Sequence, residues 1–122
     1  MKELHELTSM DRVEAFLEKH KLNFLYISRP ECSVCHAILP KLRELLDHYP
    51  QIYLGHINAN QVEEVAAKFL VFTVPTLLLM VEKKEYIRSD RFVRFDQLAE
   101  QIEQVYELVA QDQTNCDTGR NC

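Results

Sequence analysis

The chain should fold as an α/β sandwich, with parallel strands and an antiparallel edge supplied by a final hairpin. Three observations predict this. Leu22–Ser28 is a mostly apolar run with the length of a buried strand, Thr76–Val81 is a third strong strand, and Ile52–Asn58 reads as another strand. The segments around and between them carry apolar residues at three- and four-residue spacing, the period of a helix with one buried face. After the third run, the polar stretch Glu82-Lys83-Lys84-Glu85 leads into Tyr86–Ser89, which marks a hairpin.

Taken in order, Glu3 to Leu7 alternates weakly and predicts a short first strand. Thr8 or Ser9 then offers a helix N-cap, and Asp11 and Glu14 suit the positive end of the dipole. Val13, Phe16 and Leu17 form one apolar face, so a helix is expected over Met10 to His20. Leu22–Ser28 is the second strand, broken by Arg29-Pro30-Glu31. In the next helix Val34, Ile38, Leu39, Leu42, Leu45, Leu46 and Tyr49 are expected on one face. Pro40 should kink that helix and Pro50 should end it. Ile52 to Asn58 forms a third strand, Val62 to Phe69 a short helix, and Thr76 to Val81 a fourth strand with Pro75 at its start. Phe95, Leu98, Ile102, Val105 and Val109 mark the last amphipathic helix. Residues 110–122 are polar and are expected to form a flexible tail, leaving one domain over residues 1–109.

The bulk composition narrows the function. The chain has 122 residues, 47 % of them apolar, and a formal net charge of −5. That length buries a core without disulfide staples. Scattered cations on an acidic chain argue against nucleic acid as a partner. The longest nearly apolar run, Phe69 to Val81, is too short to cross a bilayer and is interrupted by Pro75. The first residues lack an apolar signal core. The expectation is therefore a cytoplasmic monomer with no membrane partner. In that compartment cysteines point to chemistry or metal rather than scaffolding.

Of the four cysteines, only Cys32 and Cys35 lie inside the patterned part of the chain. They flank Ser33-Val34 directly after a buried strand and at the first turn of a helix. At that spacing the thiols are close enough to bridge. Free amides and the helix dipole stabilise a thiolate at the first cysteine. Such sites lower a thiol from about 8.5 into a range of roughly 3.5 to 7.5, and the thiolate is the species that attacks a disulfide. A C-x-x-C pair beside a βαβ pattern thus points to thiol–disulfide exchange.

With these residues in view, the chain resembles the thioredoxin family from about Glu3 to Val109. The matching features are Cys32 and Cys35, Pro40 five residues later, Val74-Pro75-Thr76 before an apolar strand, and Asn58 at the end of the third strand. The resemblance implies a three-layer α/β/α sandwich and a protein-disulfide oxidoreductase that uses no cofactor. It implies that Cys32 is the exposed nucleophile and Cys35 the buried resolving thiol. Pro75 would match the family's cis-proline, and the backbone of Val74 would pair with an extended substrate segment. The implied partners are protein disulfides and a dithiol or flavoprotein reductase that restores the dithiol.

The chain departs from the family in three places. Thioredoxins usually carry Trp-Cys-Gly-Pro-Cys, whereas here Glu31-Cys32-Ser33-Val34-Cys35 stands in a chain without tryptophan. A family Asp on the strand before the motif, proposed to move a proton for the resolving cysteine, is matched by Tyr26, a poor base at neutral pH. His36 and Glu31 are the nearby alternatives, and a protonated His36 would favour the Cys32 thiolate. Finally, Arg91-Phe92 replaces a common glycine at the substrate groove, so Glu31 and Phe92 are expected to bound a narrower groove and a restricted partner set.

The competing interpretations are a structural disulfide, a C-x-x-C-H haem attachment at Cys32 to His36, and zinc held with His36, Cys116 and Cys122. The strand–motif–helix context favours none of them, and no metal ligand set is assigned. Cys116 and Cys122 are expected to be free thiols of the tail. His5, His20, His48 and His56 share no spacing and are expected at the surface. The alternative function is a redox-inactive or redox-sensing interaction module on the same fold.

Overall fold

The computed structural model describes the backbone through residue 117 and side-chain surroundings through residue 109. Its elements follow the order β1 (Leu4–Glu6), α1 (Met10–Lys19), β2 (Leu22–Ser28), α2 (Ser33–Leu46), β3 (Ile52–Asn58), α3 (Glu64–Lys68), β4 (Thr76–Val81), β5 (Lys84–Ser89) and α4 (Phe95–Asp117). The five strands form one mixed sheet ordered β1-β3-β2-β4-β5. β1, β3 and β2 run parallel, while β4 enters antiparallel beside β2 and β5 closes the edge. The change of direction therefore falls inside the sheet, at β2/β4, and not only in the final hairpin.

Alternation along the strands makes two cores. Leu22, Phe24, Tyr26, Leu54, Leu77 and Leu79 pack with Cys35, Ile38, Leu42 and Leu46 of α2 and with Leu98 and Ile102 of α4. On the other face Leu25, Ile27, Ile57, Leu78 and Met80 pack with Val13, Phe16 and Leu17 of α1 and with Val65 of α3. β2 and β4 are buried along their whole length, which is why they look like continuous apolar runs. Gly55 is required by this second core: a Cβ there would stand 2.6 Å from Leu7 and 2.9 Å from the Phe16 ring.

Local chemistry sets the ends. Ser9 caps α1 by accepting from the Arg12 amide at 3.2 Å. In α2 the buried stripe is Cys35, Ile38, Leu42 and Leu46, whereas Val34, expected on it, is 41 % exposed. Val34 lies four residues before Ile38, at the edge of that stripe, and in the first turn of the helix it is left exposed. α2 continues through Pro40. His36, whose carbonyl loses an amide partner to the proline, is exposed, as is Pro40 itself, so the gap lies on the solvent side. α3 is shorter than its pattern because 3- and 4-residue turns from Asn58 and Val62 occupy its expected first turn.

The hairpin turns on Glu82 and Lys83, both left-handed at φ 50° and 68°. Two such residues match the strand twist, so β5 starts at Lys84 rather than Tyr86. A register shift beside Leu79 and Met80 then leaves Tyr86 exposed and turns Ile87 inward. α4 extends to Asp117, beyond the expected end near Val109. The predicted tail thus falls partly on this helix and partly outside the described residues. The side chain of Cys116 and all of Cys122 lie outside them as well.

Candidate active site

Ser28 ends β2 at the carboxyl edge of the sheet, and four residues later Cys32 stands as the N-cap of α2. Cys32 is half-buried, Cys35 is 2 % exposed, and the two are joined as a disulfide with Cα atoms 5.3 Å apart. The Cys35 amide donates to Cys32 Sγ at 3.1 Å, so a capping role usually filled by a serine or aspartate oxygen falls to sulfur. No acidic residue occupies the first turn of α2. The dipole and orphan amides at this end therefore act on Cys32 without a competing carboxylate in that turn.

Across from the pair lies the loop before β4. The Val74–Pro75 peptide bond is cis, Pro75 is buried, and the Val74 carbonyl lies 3.9 Å from Cys32 Sγ. Two contacts fasten this loop. Thr76 Oγ1 donates to the Thr73 carbonyl at 2.7 Å. Arg88 on β5 donates to the carbonyls of Phe69 and Leu70 while its other edge holds Glu85. The Glu85 carboxylate is held below its usual range by Arg88.

The remaining expected site residues distribute as follows. Glu31 is exposed, and its carboxylate accepts from Asn60 Nδ2 at 2.9 Å, while Asn60 Oδ1 accepts from Arg29 at 3.0 Å. The turn before Cys32 is thereby tied to the segment after β3. His36 Nε2 donates to the Pro30 carbonyl at 2.8 Å, bracing that same turn from α2. Tyr26 is buried on the α2 face and donates its hydroxyl to the Cys35 carbonyl at 2.5 Å. Desolvation pushes its ionisation well above the ordinary tyrosine range, so it holds its proton at neutral pH.

Phe92 is 74 % exposed under the Arg91 guanidinium, 5.0 Å from its ring centre. It lines a groove of about 580 Å³ with Leu70, Phe72, Thr73, Thr76 and Arg88. Cys32 and Cys35 are not among that groove's lining residues, so Phe92 flanks the proline loop rather than the sulfur pair.

One residue escaped the sequence reading. His56 is not a simple surface histidine: its Nδ1 lies 2.7 Å from Glu6 Oε1 and its Nε2 lies 2.6 Å from Ser28 Oγ. It stands beside Tyr26 in the β2/β3 register, on the face covered by α2. The signal was present in β3, where Ile52, Leu54 and His56 share parity with the buried Leu22, Phe24 and Tyr26.

Known proteins share the family and the fold of this chain. The family model described as Thioredoxin matches residues 4–104. The thioredoxin-like protein YdfQ of Bacillus subtilis (strain 168) is 54 % identical over 108 residues, covering 88 % of this chain and 96 % of that protein. Among solved structures, Fasciola hepatica thioredoxin superposes with a TM-score of 0.73 at 24 % identity, covering 82 % of this chain and 97 % of its own. Thioredoxin from Trypanosoma brucei brucei superposes at 0.75 with 13 % identity, covering 86 % and 92 %. These two likenesses speak for the fold.

Proposed function

The chain belongs to the thioredoxin family, and from that premise we propose that it is a protein-disulfide oxidoreductase of cytoplasmic redox homeostasis, working through Cys32 and Cys35. The Cys32 thiolate attacks one sulfur of a substrate disulfide. The substrate S–S bond breaks, one substrate thiolate leaves and takes a proton from solvent, and Cys32 is held in a mixed disulfide. Cys35 then loses its proton and its thiolate attacks Cys32 Sγ. The intramolecular disulfide forms as the second substrate thiolate leaves. Two electrons pass from the dithiol to the substrate, and a dithiol or flavoprotein reductase returns them.

The observation that carries this reading is the 3.1 Å approach of the Cys35 amide to Cys32 Sγ at the start of α2. A donor already aimed at the sulfur stabilises the anion without reorganisation. The Val74 backbone pairs with an extended substrate segment over Pro75, Glu31 borders the cysteine turn, and Phe92 limits the groove's far side. His36 acts by holding the Pro30 turn, and Tyr26 by holding the Cys35 turn. Protein disulfides are the substrates, the working unit is a monomer, and neither nucleic acid nor membrane is a partner. Residues 1–109 carry the activity.

Insulin reduction with dithiothreitol, followed by turbidity, tests the reading. Activity above the uncatalysed rate that disappears in Cys32→Ser is the expected result. No activity above the reductant alone would favour the redox-sensing interaction module instead.

A further inference from the structure

Oxidising the dithiol releases a proton from Cys35, a thiol only 2 % exposed to solvent. Some group must take that proton. Tyr26 cannot, because burial keeps its own proton on. Cys35 and Tyr26 line a cavity of about 260 Å³ together with Glu6, Ser28, His36 and His56. Glu6, His56 and Tyr26 stand side by side in one row across β1, β3 and β2.

The hydrogen bonds in that row orient His56. Glu6 offers only acceptor oxygens, so the proton of the neutral imidazole resides on Nδ1 and points at the carboxylate. Nε2 therefore carries the lone pair, and the Ser28 hydroxyl donates to it at 2.6 Å. The other polar groups facing the cavity are committed elsewhere. His36 gives its Nε2 hydrogen to the Pro30 carbonyl, the guanidinium of Arg29 is bound to Asn60, and Asn58 Oδ1 accepts from the Asn60 amide at 2.9 Å. A basic ring nitrogen, fixed in tautomer and linked to a hydroxyl, is thus left on the wall shared with Cys35.

We propose that His56, oriented by Glu6, accepts the Cys35 proton across this cavity, with the Ser28 hydroxyl as the relay. The inference rests on the dithiol mechanism proposed above. When Cys35 attacks, its S–H proton passes to Ser28 Oγ as the Ser28 proton moves to His56 Nε2. The Cys32–Cys35 bond forms, the Cys32–substrate bond breaks, and His56 later returns the proton to the leaving thiolate or to solvent. Glu6 stabilises the imidazolium while it lasts, the carboxylate–histidine logic of acid–base sites. Histidine suits the task because its charge changes near neutral pH.

The test uses the full-length reduced protein with Cys116→Ser and Cys122→Ser, so that only the pair reacts. It is mixed in stopped flow with an aryl disulfide that releases a coloured thiolate. Attack by Cys32 gives a first, concentration-dependent phase. Resolution by Cys35 gives a second, first-order phase, read from pH 5 to pH 9. His56→Gln should slow the second phase about tenfold or more near neutrality and flatten its pH dependence, leaving the first phase unchanged. Glu6→Gln, at an exposed position, should leave the first phase unchanged and slow the second severalfold, because the ring loses the carboxylate that fixes its tautomer and faces the imidazolium. A second phase with unaltered rate and pH profile in both variants would overturn the proposal. A parent protein releasing only one coloured thiolate would instead sink the dithiol mechanism, and the relay with it, by a distinct signature.

Discussion

Replacing Tyr26 with Phe should produce a stability difference that reverses with pH. The substitution keeps the buried ring and removes one hydroxyl, which donates at 2.5 Å to the Cys35 carbonyl. That carbonyl lies in the first turn of α2 and faces an amide four residues on, so it is not orphaned by the change. The expected loss is that of one net buried hydrogen bond, ~1 kcal/mol at pH 7. The alkaline side runs the other way. Burial raises the Tyr26 ionisation far above the ordinary 10.0, so the folded chain stays protonated while the unfolded chain ionises. A raised folded-state pKa means stability that is complete below the unfolded value and is lost as pH climbs above it. At pH 11 that loss is about 1.4 kcal/mol for the parent and absent in the variant. The two stability curves should therefore cross at about pH 10.7. Urea titrations of the oxidised proteins at pH 7, 9, 10 and 11 would measure this. They are best followed by far-ultraviolet circular dichroism, since the chain has no tryptophan. Equal stability at pH 7, or a gap that fails to narrow as pH rises through 10, would refute the argument.

Further outcomes are expected at other positions. Gly55→Ala should cost about 1–3 kcal/mol in urea unfolding, because its Cβ would meet Leu7 at 2.6 Å and Phe16 at 2.9 Å, both buried. Lys83→Gly should stabilise by about 1 kcal/mol, since a left-handed φ of 68° strains a side-chain-bearing residue. The salt bridge it loses to Glu18 is exposed and contributes little. Ser9→Ala should lower the urea midpoint by an amount equivalent to about 1 kcal/mol, because the Arg12 amide loses its cap. Phe92→Ala should raise turnover of a folded protein disulfide severalfold while leaving that of a small disulfide unchanged. An equal effect on both would remove Phe92 from substrate selection.

Much of this protein was legible along the chain because the signals were local. The bounds of β2, β3 and β4 coincide with the expected strands: β2 and β4 because they are buried on both faces, β3 because its buried positions Ile52, Leu54 and Ile57 are apolar. The pair Cys32 and Cys35 was legible because a strand end, a two-residue spacer and a helix start are all short-range patterns. Less visible were features in which local sequence argues weakly or for the wrong register. Lys84 and Glu85 look like loop but pair with Val81 and Met80, because two left-handed residues turn the chain sooner than the polarity suggests. Val34 looks like core, yet the stripe begins one residue later.

By itself the sequence determined the element order, the two-sided burial of the central strands and the placement of a cysteine pair at a helix N-terminus. Side-chain periodicity and capping act over a few residues and carry that information directly. Only the tertiary structure decided which strands are neighbours, and with them the partners of the site. Glu6, Ser28 and His56 meet because β1 and β2 flank β3, and Glu31 meets Asn60 because the loops after β2 and β3 leave the same edge. Such pairings depend on long-range register, which hydrophobic burial selects for the sheet as a whole and no short stretch of chain encodes.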